Sequence, residues 1–324
     1  MHDEMRNKAC VDVLIAVWND AATIERAVRS ALSDAHVNNV IVIDDASTDD
    51  TASVASSLKV QAGDRLIFRR LERNGGPAVA RNRGLDASTA PWVAILDGDD
   101  YFLPGRMKAL LDASEGADFV ADDQVQIKQE GGDSEFLIGH SSTMTIDLAT
   151  FVTENLSSGP RLRKEFGFLK PIMRRSFLDS HQLRYDEQLR LGEDFALYTR
   201  ALAAGAVFRV VPARTYASIV RSGSISGRHT KIDLERLRDS SRSLGQLPRL
   251  TDRERALLRM HYEAIDARVQ WLNVIDAVKS RSIAAFMSPF FVRWTTSVYL
   301  ASRLWEQVVL RSKKSLGLAG SQSH

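Results

Sequence analysis

The chain has 324 residues, of which 44% are hydrophobic and 26% charged, and these proportions exclude a wholly disordered polypeptide. Its formal net charge of +2 gives no general argument for binding nucleic acid. Cys10 is the only cysteine, which excludes an intrachain disulfide and a cysteine-rich zinc site. The N-terminal residues lack the pattern of a signal peptide, and we therefore expect a cytoplasmic protein.

The first third of the chain alternates short apolar runs with segments of helical spacing. The runs predict strands at VDVLIAV (11–17), VIVID (40–44), RLIFRRL (65–71) and WVAIL (92–96). Helical spacing follows the first run from Ile24 to Leu32, Ser47 is a candidate N-cap for a second helix, and Pro77 opens a third. Pro104 is expected to open a fourth. This alternation predicts a mostly parallel α/β sheet.

Acidic side chains follow the ends of two of these predicted strands. Asp44 and Asp45 end the second strand, and Asp97, Asp99 and Asp100 follow the fourth. Ligands of open α/β sheets bind beyond the carboxyl ends of the strands. Crowded carboxylates need a cation, and their oxygens suit magnesium or manganese, which commonly shares its coordination with substrate phosphates. The pattern predicts a metal–nucleotide site, although single aspartates, Asp100 among them, are also candidates for N-caps or turns.

Five segments resemble, in order, the motifs of family 2 glycosyltransferases, which are inverting enzymes of the nucleotide-diphosphosugar (GT-A) fold. They are VLIAVWNDAATIERAVRSAL (13–32), VIVIDDASTDDT (40–51), NGGPAVARNRGL (74–85), WVAILDGDDYFLP (92–104) and FLKPIMRRSFLDSHQLRYDEQLRLGEDFALYTRAL (168–202). The resemblance covers roughly residues 11–226, and five motifs in order are more specific than a lone DxD. It implies a mostly parallel, Rossmann-like sheet flanked by helices, and sugar transfer from a UDP-sugar to a saccharide hydroxyl.

The resemblance assigns donor binding to residues near the strand ends. The backbone near Val17 and Trp18 would line the base pocket, where Trp18 stands in place of a frequent tyrosine and keeps an aromatic face for stacking. Asp45 would hydrogen-bond the uracil ring. Arg81 would hold the base or the diphosphate with its forked donors.

The resemblance also implies Mn²⁺ or Mg²⁺ bound together with the donor diphosphate. Asp99 would be a direct ligand, and Asp97 would contact either the ribose or the metal. Arg221, in a loop of serine and glycine residues, would cover the diphosphate. His229 is a further candidate ligand, although a single histidine in a polar loop is more often solvated.

The Glu193–Asp194 pair would carry the acceptor side of the reaction. Asp194 is the expected general base, which removes the proton of the acceptor hydroxyl as that hydroxyl attacks the anomeric carbon. Glu193 is expected to contact the acceptor or to support Asp194. Lys170 is assigned to the acceptor side or to a supporting position, with a solvated surface as its alternative. For the pair, the alternative is that residues 192–194 only cap the helix that follows.

The last third departs from these motifs. The predicted domains are a catalytic domain over 1–230, with a nucleotide-sugar half at about 11–120 and an acceptor half at about 121–230, a helical extension over 231–314 and a disordered tail over 315–324. Residues 267–314 contain eight Lys or Arg against two acids, with no apolar run of transmembrane length. Such a basic amphipathic segment suits an anionic membrane face, and packing on the catalytic domain or on a second subunit is the alternative.

The biological setting is also implied by the resemblance. The processive motif Gln-x-x-Arg-Trp has Phe290 in place of glutamine, which favours a single transfer over polymerisation. The chain is similar to succinoglycan-type glucosyltransferases, which implies UDP-glucose as donor and a polyprenyl-diphosphate-linked oligosaccharide as acceptor, at the inner face of the cytoplasmic membrane. The alternatives are a sugar-phosphate nucleotidyltransferase, which usually has a Gly-rich loop where this chain has WNDAATI, and a non-catalytic UDP-sugar-binding protein.

Overall fold

The computed structural model describes residues 10–128, 135–156, 166–220 and 230–315. In its first part, four parallel strands alternate with helices. The elements are β1 (Val11–Val17), α1 (Ile24–Leu32), β2 (Val37–Asp44), α2 (Thr51–Ala62), β3 (Leu66–Arg70), α3 (Pro77–Ala87) and β4 (Trp92–Asp97). The strands pair in the order β3-β2-β1-β4. The four strands predicted from the sequence are therefore confirmed.

The second part adds two long strands, β6 and β10, and several short ones to the same sheet. The elements are β5 (Tyr101–Phe102), α4 (Arg106–Asp112), β6 (Phe119–Lys128), β7 (Glu135–Phe136), β8 (Met144–Ile146), α5 (Leu148–Asn155), β9 (Ile172–Arg174), α6 (Arg175–Ser180), α7 (Glu193–Ala203) and β10 (Phe208–Val220). Strand β9 lies between β4 and β6, antiparallel to both, and joins the two parts. Strand β10 runs parallel to β6 and pairs antiparallel with β5 and β8.

The residues of β1 show why these strands read as continuous apolar runs. Leu14 lies in one buried layer, which includes residues of α3, and Val13 and Ile15 lie in the other, which includes residues of α1. Successive side chains of a strand point to opposite faces, so a sheet covered on both sides needs an apolar residue at every position. Burying each such side chain contributes about 1.5–3 kcal/mol. Gly84 lets α3 approach β1 closely, because a Cβ there would lie 3.2 Å from Leu14 Cδ1.

Two predicted helix starts are wrong. Helix α2 begins at Thr51, and Ser47 does not cap it, because the Ser47 hydroxyl and backbone N–H both donate to Asp44 Oδ1. These bonds close the turn after β2, which leaves the serine no reach to the helix. Helix α4 begins at Arg106 instead of Pro104, since Gly105 adopts a left-handed conformation (φ 83°) directly before it.

The C-terminal region is helical, as predicted. It comprises α8 (Lys231–Leu244), α9 (Asp252–Lys279), α10 (Ile283–Met287), a 3₁₀ turn (Ser288–Phe291) and α11 (Trp294–Ser315). Helix α9 packs against α7 through His261, whose ring stacks on Phe195 with the centroids 4.1 Å apart. Leu237 of α8 lies against Gly192, at the start of α7. Among the described residues, no helix combines the length and the apolarity needed to cross a membrane.

Candidate active site

Four segments bring charged side chains together near the carboxyl end of β4. Arg81 comes from α3, Asp97 ends β4, Lys170 precedes β9, and Glu193 and Asp194 form the first turn of α7. Arg81 and Lys170 are each only 5% exposed, and Asp194 is also buried. The solvated-surface alternative for Lys170 is therefore wrong. Residues far apart in the chain meet here because β9, which begins just after Lys170, inserts beside β4.

The two cations each bridge Asp97 and Asp194. Arg81 donates from Nη2 to Asp97 Oδ1 (2.8 Å) and from Nη1 to Asp194 Oδ1 (3.0 Å). Lys170 Nζ lies 3.1 Å from Asp97 Oδ2 and 2.8 Å from Asp194 Oδ2. Every carboxylate oxygen of the two aspartates thus has a cationic partner, and we call these four side chains the charge ring. Glu193 joins it through Arg81 Nη1 at 2.7 Å.

Opposite charges in the charge ring shift the pKa values of Asp97 and Lys170 against the effect of burial. Burial alone disfavours the charged form of Asp97, but Lys170 and Arg81 hold the pKa of this carboxyl well below its usual range. Burial likewise favours a neutral Lys170, yet Asp194 and Asp97 raise its pKa above the ordinary value. For Glu193, burial raises the pKa in spite of Arg81. The charged forms of Asp97 and Lys170 therefore depend on the opposite charges around them.

A second buried ion pair holds Lys170 in position. Arg106 is fully buried, and its Nη2 donates to the backbone oxygen of Lys170 (2.6 Å) and to Asp122 Oδ1 (2.9 Å). Asp122 Oδ2 accepts from the backbone N–H and the hydroxyl of Thr215 on β10 (2.8 and 2.6 Å). The sequence reasoning missed this pair. Its only sequence signal was an aspartate pair, Asp122–Asp123, directly after the apolar residues FVA at the start of β6.

Asp100 turns away from the charge ring towards β10. Its Oδ2 accepts from the Tyr216 hydroxyl and its Oδ1 from the Ile219 N–H, both at 2.8 Å. The Asp97 N–H donates to the same Tyr216 oxygen at 3.2 Å. Burial, together with the negative charges of Asp97 and Asp99, raises the pKa of Asp100 to about 7. These contacts fit the turn role that the sequence favoured for Asp100.

The predicted base-binding residues lie at the ends of β1 and β2. Val17 is buried, its carbonyl accepts from the Asp45 N–H (2.8 Å), and the adjacent Trp18 is 44% exposed. Asp45 Oδ1 and Oδ2 accept from the N–H groups of Gly75 and Gly76, each at 2.7 Å. Burial raises the pKa of Asp45 despite these two bonds. Each carboxylate oxygen keeps a second lone pair, so a uracil N–H remains a chemically suitable partner.

The positions of Glu193 and Asp194 at the start of α7 show that their contacts go beyond capping the helix. Gly192 occupies the N-cap position, and no side chain caps the helix by a hydrogen bond. Both carboxylates lie in the first helical turn, after the N-cap, and both accept from Arg81. Two buried atoms beside them, Arg81 Nε and Tyr185 Oη, have no hydrogen-bond partner within the part of the chain that the structure describes. A polar ligand is one way to satisfy such groups.

The residues predicted to hold a metal are only partly assembled. Within the described residues, no group of three or more His, Cys, Asp or Glu side chains forms a metal site. Asp97 nevertheless keeps 33% of its side chain exposed, and Asp99 is half-buried two positions on. Two such carboxylates fit a magnesium or manganese ion that takes its other oxygens from substrate phosphates and water. The predicted Arg221 and His229 lie outside the described residues.

Solved structures share this architecture. Residues 1–349 of S. aureus TarS in complex with UDP-GlcNAc superimpose with a TM-score of 0.63 at 17% identity, over 86% of this chain and 89% of that one. The same TarS region in complex with UDP gives a TM-score of 0.58 at 20% identity, over 82% and 71%. At such identity the likeness establishes the fold, and the class of protein is defined as a GT-A fold with a helical C-terminal region, as predicted.

Sequence comparison carries the assignment further. Residues 12–178 match the family described as "Glycosyl transferase family 2". Succinoglycan biosynthesis protein ExoU of Rhizobium meliloti (strain 1021) is 44% identical over 82% of this chain and 78% of its own length. ExoO of the same strain is 31% identical over 91% and 86%. The chain belongs to glycosyltransferase family 2 and is a glycosyltransferase, which confirms the resemblance and sets aside a nucleotidyltransferase.

Proposed function

We propose that this glycosyltransferase moves a sugar, glucose in the first instance, from a UDP-sugar to a saccharide hydroxyl with inversion at the anomeric carbon. The charge ring carries this proposal, because it joins a carboxylate at the donor edge of the sheet, Asp97, to a carboxylate on α7, Asp194. The choice of UDP is supported by the fold shared with TarS, which has been solved with UDP and with UDP-GlcNAc.

The donor would lie across the ends of β1, β2 and β4. The uracil ring stacks on the exposed face of Trp18, above the backbone of Val17, and donates its N–H to Asp45. Arg81 Nε–H, which has no hydrogen-bond partner among the described residues, would donate to the ribose or diphosphate while Nη1 and Nη2 stay on the carboxylates. Arg221 adds a second positive charge over the diphosphate.

Asp99 and Asp97 would hold a Mn²⁺ or Mg²⁺ ion, with His229 as a further candidate ligand. When bound, the ion supplies positive charge to the diphosphate as it departs. Arg81 and Lys170 contact one oxygen each of Asp97 and hold its carboxylate in place.

Asp194 would act as the general base. One of its oxygens takes the proton of the acceptor hydroxyl, the hydroxyl oxygen bonds to the anomeric carbon, and the bond from that carbon to the UDP oxygen breaks. The first turn of α7 favours a negative charge at this position. Lys170 and Arg81 hold the two carboxylate oxygens in one orientation. Glu193 shares Arg81 and contacts the acceptor.

The acceptor would be an oligosaccharide on a polyprenyl diphosphate, in the assembly of an exopolysaccharide at the inner face of the cytoplasmic membrane. This part of the proposal is supported by the names of the relatives ExoU and ExoO, which are succinoglycan biosynthesis proteins and align along most of this chain. A lipid-linked acceptor requires the enzyme to reach the membrane surface, as a peripheral protein.

A nucleotide-sugar screen tests the proposed chemistry. We expect UDP-glucose to raise the melting temperature and to be hydrolysed slowly, with EDTA abolishing turnover and Mn²⁺ or Mg²⁺ restoring it. Asp194→Asn should lower turnover by roughly 10²–10⁴-fold without unfolding the protein. The matched control is Asp112→Asn, an exposed carboxylate paired with Lys108 on α4, which should leave turnover unchanged. Full activity of folded Asp194→Asn would exclude this base.

A further inference from the structure

Helix α11 presents an apolar stripe to solvent. Its inner side is buried, with Thr296 and Leu300 almost inaccessible. The stripe on its outer side, which we call the outer stripe, consists of Trp294, Val298, Ala301, Trp305 and Val308, all exposed. Spacings of four and three residues place these side chains on one face of a helix. The helix is therefore apolar both towards the protein and away from it.

The exposure of this stripe is unusually large. Trp294 and Trp305 are 81% and 70% exposed, and Phe291, just before the helix, is 80% exposed. Burying a side chain of this size contributes about 1.5–3 kcal/mol, so leaving three of them in water forgoes considerable stabilisation. Contiguous exposed apolar surface of this kind marks an interaction site.

The charges around the outer stripe identify its partner. Residues 278–314 contain seven Lys or Arg against one acid, Glu306. Of these cations, Arg293 pairs with Glu263 and Asp266 of α9, and Arg303 pairs with Glu306. Lys279 and Arg281 are exposed before the stripe, and Arg311, Lys313 and Lys314 follow it in the sequence. A second copy of this chain would bring the same positive charges to the contact and repel the first. An anionic lipid surface complements both the charge and the apolar stripe.

We propose that α11 lies in the headgroup region of an anionic membrane, parallel to its plane, with the outer stripe facing the lipid. The stripe spans about 21 Å from Trp294 to Val308, at about 1.5 Å per residue. Tryptophans at both of its ends suit the boundary between headgroups and acyl chains. The fold is compatible with this orientation, because α11 packs on α9 and the side chains of the outer stripe are exposed.

Vesicle flotation of the full chain tests this binding. We expect the protein to float with vesicles of phosphatidylglycerol and phosphatidylcholine, to remain unbound with phosphatidylcholine alone, and to be released by high salt. Trp294→Glu/Trp305→Glu should reduce binding at least tenfold. The milder Trp294→Ser/Trp305→Ser should also reduce it, and serves if the charged variant does not fold. Val60→Glu is the matched control, since Val60 is 84% exposed on α2, and it should bind normally.

Three results would overturn the assignment. They are no binding of the wild type to anionic vesicles, equal binding by a folded stripe variant, and a dimer in light scattering that the stripe variants dissociate. The last would identify a second copy as the partner. The proposal deepens the peripheral location proposed above without resting on the donor or the base. Flotation needs no substrate and UDP-sugar hydrolysis needs no vesicles, so either can fail alone.

Discussion

The charge ring and the Asp100–Tyr216 contact lie on opposite sides of the short turn that follows β4, at residues 98–99. The pKa values of their aspartates, Asp97 and Asp100, are shifted in opposite directions. Asp97 faces Arg81 and Lys170, and its pKa is held well below its usual range against the effect of burial. Asp100 faces a hydroxyl, a backbone N–H and two like charges, and burial raises its pKa to about 7. Burial disfavours the charged form at both positions. The charges of the surrounding groups outweigh this effect at Asp97 and add to it at Asp100.

Removing Lys170 should have the largest effect on stability, because it takes away one of the two cations beside Asp97. Lys170→Met leaves the buried Asp194 Oδ2 and the partly exposed Asp97 Oδ2 without this cation. We expect the free energy of unfolding to fall by about 3–5 kcal/mol in urea denaturation, because breaking a buried ion pair leaves an uncompensated charge. Sugar transfer should fall at least tenfold under conditions where the variant is still folded.

The control for Lys170 is a lysine outside the charge ring. Lys108→Met removes an exposed ion pair with Asp112 and should cost less than about 1 kcal/mol. A second test combines Lys170→Met with Asp97→Asn. The double variant should be more stable than the sum of the two single effects by about 0.5–3 kcal/mol, as expected for contacting groups. Additive effects would show that the two residues do not form the ring described here.

The sequence predicted the positions of the strand-end aspartates far better than it predicted the burial of Lys170. Strands β1 to β4 are local apolar runs with recognisable helix starts between them, so the positions of Asp45 and Asp97 at strand ends followed directly. Lys170 was placed near the acceptor with a solvated alternative, because a lysine gives no local sign of burial. Its burial depends on β9, three residues long, which inserts antiparallel between β4 and β6. No local periodicity specifies such a pairing.

The buried ion pair of Arg106 and Asp122 was likewise not predictable from local sequence. Arg106 opens a short helix, where an arginine usually reads as a surface residue, and Asp122 lies in a strand sixteen positions on. Their contact under Lys170 is fixed by the register of β6 beside β9 and β10. The aspartates that follow strands could thus be proposed as site residues from sequence, and so could Arg81 and Lys170, but the contacts between these cations and the aspartates required the tertiary fold.

Asp100→Asn tests whether folding favours the protonated form of Asp100, in contrast to Asp97. The folded-state pKa of Asp100, about 7, lies above its ordinary value of 3.8, so folding favours the protonated form. Wild-type stability from this group is fully present below about pH 4 and is lost as the pH rises towards 7. The amide has no such loss, and we expect the variant to be more stable than the wild type at pH 8 by about 2 kcal/mol, an order-of-magnitude figure.

Urea denaturation from pH 5 to pH 8 in EDTA measures this difference. The stability of Asp100→Asn relative to wild type should increase with pH over this range and level off above pH 7. Asp112→Asn, at an exposed carboxylate, should show no such trend. A constant difference between Asp100→Asn and wild type at all pH values would contradict a protonated Asp100 in the folded protein.

Tyr216→Phe should have the smallest effect, and its pH dependence distinguishes the two sides of the turn. The hydroxyl donates to Asp100 Oδ2 and accepts from the Asp97 N–H, so its loss should cost about 1 kcal/mol. This hydrogen bond lowers the pKa of Asp100, and removing it makes the charged form still less favourable. The loss of stability should therefore be larger at pH 8 than at pH 5. If Asp100 were ionised in the folded protein at both pH 5 and pH 8, the loss of stability would be the same at both, because its protonation state would not change over that range.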